Sequence, residues 1–153
     1  MDIPAKARAV IIGGGVVGCS IAYHLGKLGW TDVVLLERKQ LTCGTTWHAA
    51  GLIAQLRATQ NMTRLAKYSQ ELYFGLEEET GVATGFKRNG SITVALTDER
   101  MEELRRSAAM ARAFGVEIDE ISPSDIQSRY PGLTVDDAVG GVAPTSAAGA
   151  SCL

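Results

Sequence analysis

Residues 9–37, AVIIGGGVVGCSIAYHLGKLGWTDVVLLE, constrain the fold more than any other part of the 153-residue chain. Ala9 to Ile12 is a short, continuous apolar run that ends in glycines, the pattern of a strand buried on both faces of a parallel sheet. From Val16 to about Leu28 the residues suit a helix, with Gly29 as its terminator. Asp32 to Glu37 reads as a second buried strand with a carboxylate at its end. Strand, glycine turn, helix and strand make a βαβ unit, and hence an α/β fold.

Within that unit, Gly13, Gly15 and Gly18 form a GxGxxG pattern. The pattern alone is weak, but here it follows a strand and opens a helix at Val16 and Val17, and Glu37 stands 19 positions beyond Gly18, near the roughly 20-residue spacing of a dinucleotide site. Gly13 permits the tight turn, Gly15 lets the backbone approach a pyrophosphate, and Gly18 allows helix and strand to pack closely. The helix N-terminus offers N–H groups and partial positive charge to phosphates. Glu37, followed by Arg38, would accept hydrogen bonds from the adenosine ribose and repel a 2′-phosphate, which disfavours NADP but does not separate NAD from FAD. The competing reading is a glycine turn that binds nothing, with Glu37 a solvated acid.

Beyond Glu37 the chain does not enter an ordinary helix and third parallel strand, as a nicotinamide-binding unit would. It runs through a polar loop into Gly44-Thr45-Thr46-Trp47-His48-Ala49-Ala50-Gly51-Leu52, small residues around an indole and an imidazole. Such a segment lets backbone lie against a bound cofactor. His24, inside the first helix and nine residues past Gly15, is too far along to touch phosphate and reads as a packed or half-exposed helix residue.

The remaining chain is less specific. A helix over about 62–79 places Met62, Leu65, Ser69, Leu72 and Leu76 on one stripe, widened by Ala66 and Tyr73, and Gly81 ends it. Phe86–Arg88 and Ser91–Leu96 flank Asn89-Gly90, the signature of a type I′ hairpin. Residues 97–114 read as an exposed helix with acids first and bases later, including a Glu102–Arg106 pair. A strand over 116–121 precedes Ser122-Pro123-Ser124-Asp125, an N-cap with proline at the first helical position. From Gly140 onward the small residues of GGVAPTSAAGASCL give a core nothing to grip, so the chain reads as stopping in mid-fold.

Composition narrows the function classes. Fifteen basic and seventeen acidic residues, spread without basic blocks, argue against a nucleic-acid partner. The start lacks the pattern of a signal peptide and no segment suits a membrane span, so a cytoplasmic location is expected. Cys19, Cys43 and Cys152 are odd in number and far apart, with no metal-site spacing; they suit a reducing compartment, with Cys19 a small buried hydrophobe.

Taken together, the segment from Ala9 through Arg38, then GTTWHAAGL, and further QLRATQNMTRLAKYSQELY, ETGVATGFKRNGSITVALT and EISPSDIQSRYPGL, resemble the FAD-dependent oxidoreductases of the D-amino-acid-oxidase superfamily, specifically the sarcosine and dimethylglycine dehydrogenase family. The resemblance covers about residues 8 to 141 and implies an N-terminal fragment. Residues 1–84 would be the first part of an FAD-binding domain and 85–153 the truncated start of an α+β substrate domain. It further implies that His48 occupies the position of covalent FAD attachment, an imidazole nitrogen joining the flavin's 8-methyl carbon. Thr45, Thr46, Ala49, Ala50 and Gly51 would line the flavin and diphosphate, and Trp47 would pack beside them. The implied reaction is oxidative N-demethylation of a small methylated amine: hydride passes from the methyl carbon to FAD, and the resulting iminium hydrolyses to the demethylated amine and formaldehyde. Family members commonly hand the one-carbon unit to tetrahydrofolate and electrons to an electron-transfer flavoprotein. The fragment by itself is expected to be inactive and to hold FAD weakly. The other readings are a non-catalytic relative like the regulatory subunit of pyruvate dehydrogenase phosphatase, against which the intact histidine motif argues, and an NAD-binding Rossmann protein.

Overall fold

The computed structural model describes residues 4–145 and 151–152, which form two compact units divided between Ala50 and Gly51. In the first unit, β1 (Ala9–Ile12) and β2 (Val33–Leu36) pair in parallel, Ala9 opposite Val33 and Ile12 opposite Leu36, and α1 (Val16–Lys27) is the crossover between them. The βαβ expectation therefore holds. Gly29 ends the helix as expected, at φ 79, with its N–H donating to the Gly26 carbonyl and that of Trp30 to the Leu25 carbonyl. The Arg8 guanidinium lies 3.6 Å over the Trp30 ring and helps fix the entry to β1.

The strands are not buried on both faces. Ile11 is buried and packs beneath Gly18 of α1, whereas Val10 and Ile12 are 55% and 87% exposed. Successive strand residues point to opposite faces, and among the described residues α1 covers only one of them.

The second unit contains β3 (Leu52–Ile53), α2 (Gln60–Thr80), β4 (Thr93–Ala95), α3 (Asp98–Ala113), β5 (Ile118–Ile121), α4 (Pro123–Arg129), β6 (Gly140–Pro144) and β7 (Ser151–Cys152). A three-stranded antiparallel sheet has the order β4-β6-β5, and β3 pairs antiparallel with β7. Helix α3 turns Met101, Leu104, Ala108 and Ala111 inward, and its charged face stays in solvent with Arg106 3.5 Å from Glu102. Ala95, Val142 and Ile118 complete that core, while Ile126 of α4 packs with Ile121 and Ala143. Ser122 is the N-cap of α4, as the sequence indicates, and with Asp125 it forms a reciprocal capping box; Thr97 caps α3 by accepting from Arg100 N–H.

Three expectations fail in this unit, the first only in part. The expected stripe of α2 is buried only in part: Met62 and Leu65 are about half exposed, while Ala66, Ser69, Leu72, Tyr73 and Leu76 are half-buried, and the most buried line runs elsewhere. It is centred on Thr63 and Gln70, which are 0% and 1% exposed. Polar residues go inside there because an irregular segment needs partners for its backbone: Thr63 Oγ1 accepts from Arg57 N–H and donates to the Arg57 carbonyl, and Gln70 bonds Gln55 and the Ile53 carbonyl. No type I′ turn forms at Asn89-Gly90, because Gly90 has φ 76 but Asn89 does not have positive φ, and β4 pairs with β6 instead. Lastly, the small residues from Gly140 are a central strand rather than idle sequence. A Cβ on Gly141 would lie 2.7 Å from the Thr93 carbonyl oxygen and one on Gly140 3.4 Å from Met101 Sδ, so glycine is what lets the sheet and α3 close. Residues 146–150 and 153 of that tail lie outside the described residues.

Candidate functional site

The candidate site lies within the first unit, at the carboxyl ends of β1 and β2 and the N-terminus of α1, where open parallel sheets bind ligands. A groove of about 920 Å³ runs there, lined by the Gly13–Gly18 turn, Glu37 and Arg38, and the 42–46 loop with Ala49.

The glycines divide their work as their spacing indicates. Gly13 takes φ 106, a conformation that disfavours a side chain. Gly18 has no room for one: a Cβ there would sit 1.9 Å from the Gly13 carbonyl oxygen and 3.4 Å from Ile11 Cγ2. At Gly15 a Cβ would come within 3.2 Å of Thr46 Oγ1. Gly14, which the motif treats as variable, is also crowded, but by side chains that can move: its Cβ would meet Leu41 Cδ2 at 2.5 Å and Glu37 Cβ at 3.1 Å.

Glu37 has a second role that spacing alone does not show. Its carboxylate accepts the Gly14 N–H at 2.8 Å and the Lys39 N–H at 2.9 Å, so it braces the glycine turn. These two bonds, the first foremost, hold its carboxyl below the usual glutamate range. Each carboxylate oxygen keeps a further lone pair for a ligand hydroxyl.

The loop after Glu37 is tied back to the same turn. Thr42 N–H donates to the Gly14 carbonyl at 2.8 Å, and Val16 N–H donates to Thr46 Oγ1 at 2.9 Å. Thr42 is the one non-glycine residue of positive φ among the described residues, at 63°. Thr45–His48 then form a 3₁₀ turn, with Trp47 N–H donating to the Thr42 and Gly44 carbonyls. Trp47 is 79% exposed and His48 is exposed, so in this structure the indole is not packed away, and neither side chain lines the groove. Gly44, Thr45, Thr46 and Ala49 do line it; Ala50 is exposed at the end of the unit. Gly51, at φ 72, and Leu52, which opens β3, belong to the second unit.

Sequence reasoning missed Thr42 and Cys43 as groove residues, and Gly14 as the residue whose N–H and carbonyl tie the turn to Glu37 and Thr42. The run of three glycines was a signal for Gly14; nothing in sequence marks a threonine of positive φ. Cys19 is half-buried rather than fully buried, its Sγ 3.4 Å from the Gly14 carbonyl, and His24 sits mid-helix with Nδ1 2.6 Å from the Ser20 carbonyl. Among the described residues no cluster of three metal-ligating side chains occurs, and no helix is long and apolar enough to cross a membrane.

Chemically the groove suits a ribose and a diphosphate. The first turn of α1 has no acidic residue, and apart from Val16 N–H, which Thr46 Oγ1 accepts, its amides favour an anion. Arg38 adds positive charge beside Glu37 in the groove lining.

Comparison with known proteins agrees in its coarse features. The family model described as FAD dependent oxidoreductase matches residues 8–150. The chain is 43% identical over 138 residues to the mitochondrial pyruvate dehydrogenase phosphatase regulatory subunit of Mus musculus, covering 90% of this chain and 16% of that protein. It is also 43% identical over 139 residues to the mitochondrial sarcosine dehydrogenase of Homo sapiens, covering 90% of this chain and 15% of that one. Among solved structures, L-proline dehydrogenase from P. horikoshii superposes with a TM-score of 0.86 at 27% identity, over 98% of this chain and 39% of that one. The chain thus spans about a sixth of the length of the curated relatives it matches.

Proposed function

Because this chain belongs to the FAD dependent oxidoreductase family, we propose that its first unit carries the adenine-dinucleotide end of an FAD site in an enzyme that oxidises a small N-methylated amine of the sarcosine or dimethylglycine type. The observation that carries the reading is the braced glycine turn: Gly18 packed without room for a methyl group on Gly13, and Glu37 anchored at the end of β2 with lone pairs to spare. The residues fit the group. Glu37 would hold ribose hydroxyls, and the amides at the start of α1, with Arg38, would hold the diphosphate. When bound, FAD supplies the two-electron oxidation, accepting hydride from the amine's methyl carbon.

His48 would provide the covalent anchor through an imidazole nitrogen, preventing loss of the cofactor and raising its oxidising power. Its exposure and its place on the loop that Thr46 ties to α1 support this assignment. Gly44, Thr45, Ala49 and Ala50 keep the neighbouring backbone accessible. The groups that bind the amine's carboxylate would come from sequence outside these 153 residues, as would any tetrahydrofolate site and any surface for an electron-transfer flavoprotein. The antiparallel β4-β6-β5 sheet, which lies beyond Gly85, would begin the substrate domain.

A second reading has a specific basis: the regulatory subunit is as similar to this chain as sarcosine dehydrogenase is. In that case the groove would be a structural remnant. A polypeptide extending this chain to the family's length, expressed with FAD, separates the two. The enzyme reading expects yellow, acid-precipitable protein whose absorbance bleaches anaerobically with sarcosine or dimethylglycine, and a His48→Ala variant whose flavin stays in the acid supernatant. Colourless protein, or yellow protein that no N-methylated amine bleaches, would overturn it.

A further inference from the structure

Helix α1 lacks a cap of its own, because Gly15 at the N-cap has no side chain to accept an amide hydrogen. The missing acceptor comes from 30 residues away: Thr46 Oγ1 receives the Val16 N–H at 2.9 Å. That hydroxyl belongs to the 3₁₀ turn Thr45–His48, and the Thr46 carbonyl accepts the Ala49 N–H at 3.2 Å. On the other side, Gly15 is the position where an added Cβ would crowd Thr46 Oγ1 at 3.2 Å. Gly15 and Thr46 are therefore matched: the glycine leaves the space that the hydroxyl enters.

We infer that Thr46 is a positioning residue, which completes the N-terminus of α1 and fixes the turn that carries His48 against the glycine turn. A hydroxyl that accepts from a helix amide keeps its own hydrogen for donation, and no acceptor for it occurs among the described residues. Accepting from the positive end of a helix also strengthens that donation. Thr46 thus presents a polarised O–H for an anionic oxygen of the ligand, placed two residues before the imidazole. The cost of losing this contact falls on the geometry of the loop before it falls on any chemistry. The flavin consequence rests on the reading of His48 given above; the loop consequence does not.

The test compares Thr46→Val, which keeps the shape and loses the hydroxyl, with Thr46→Ser, which keeps the hydroxyl. Amide hydrogen exchange in the 153-residue chain is the first readout. Loss of an N-cap acceptor corresponds to roughly tenfold in opening, so Val16 exchanges about tenfold faster in Thr46→Val, Trp47 and Ala49 also speed up, and Thr46→Ser restores all three. Acid-stable flavin per mole of FAD-loaded protein is the second: it falls several-fold in Thr46→Val and recovers in Thr46→Ser. Unchanged exchange at Val16 and Trp47 in Thr46→Val overturns the inference, as does failure of serine to rescue. If wild-type protein carries no acid-stable flavin, the attachment reading of His48 fails, and the exchange data still decide the role of Thr46.

Discussion

Replacing Gly18 with alanine tests the packing that makes the glycine turn possible. The new Cβ would stand 1.9 Å from the Gly13 carbonyl oxygen and 3.0 Å from its carbon, with Ile11 Cγ2 at 3.4 Å. Real Cβ contacts do not fall below 3.0 Å, so α1 must retreat from β1 by at least 1.1 Å, the difference between that limit and the 1.9 Å approach. The obstacle is backbone, which cannot swing aside as a side-chain tip does. Overpacking costs about 1–3 kcal/mol, and this site belongs at the upper end. For a chain of this size, ~3 kcal/mol lowers Tm by roughly 6–12 °C. Gly26→Ala is the matched control, because nothing lies within 4 Å of a Cβ there. It should stabilise by about 0.5–1 kcal/mol through helix propensity. Thermal unfolding followed by circular dichroism reads both. A Gly18→Ala protein that melts within about 2 °C of wild type would refute the close-packing argument, since that corresponds to under ~1 kcal/mol.

Other outcomes follow from the same geometry. Glu37 is held below the usual range by the Gly14 and Lys39 amides, so its stabilisation is complete above its unfolded value of about 4.3 and is lost as pH falls through the lower folded value. Glu37→Gln should therefore lower the urea midpoint at neutral pH and converge with wild type in acid; a gap that persists or widens in acid would contradict this. Ser122→Ala removes the acceptor for Asp125 N–H and should cost about 1 kcal/mol in urea unfolding, whereas Ser122→Asn should cost less.

The βαβ unit was legible because its signals agree at every level. Apolar runs of strand length, glycines at fixed offsets and an acid at the right distance all reflect backbone geometry, which sequence spacing encodes directly. The cap at Ser122 and the stop at Gly81 were similarly local. What stayed hidden depends on contacts between distant segments. Thr63 and Gln70 are inside because the 53–57 segment needs hydrogen-bond partners, and no helical periodicity records that demand. Gly140 and Gly141 look structureless until Met101, Thr93 and Ile126 are brought against them. At the candidate site, the residues were legible but their mutual bonds were not. Glu37 read as a ribose acceptor, and only the fold shows it bracing Gly14; Thr46 read as a lining residue, and only the fold shows it capping α1.

Amide-resolved titration of the 153-residue chain tests whether the groove at the start of α1 receives the dinucleotide, even where binding is weak. FAD should shift the resonances of Gly13–Gly18 and of Glu37, Arg38 and Thr42–Ala49, while NADP at equal concentration should shift them far less, because Glu37 opposes a 2′-phosphate. No shift in those residues at saturating FAD would show that the groove does not take the dinucleotide, and equal shifts with NADP would show that Glu37 does not read the ribose.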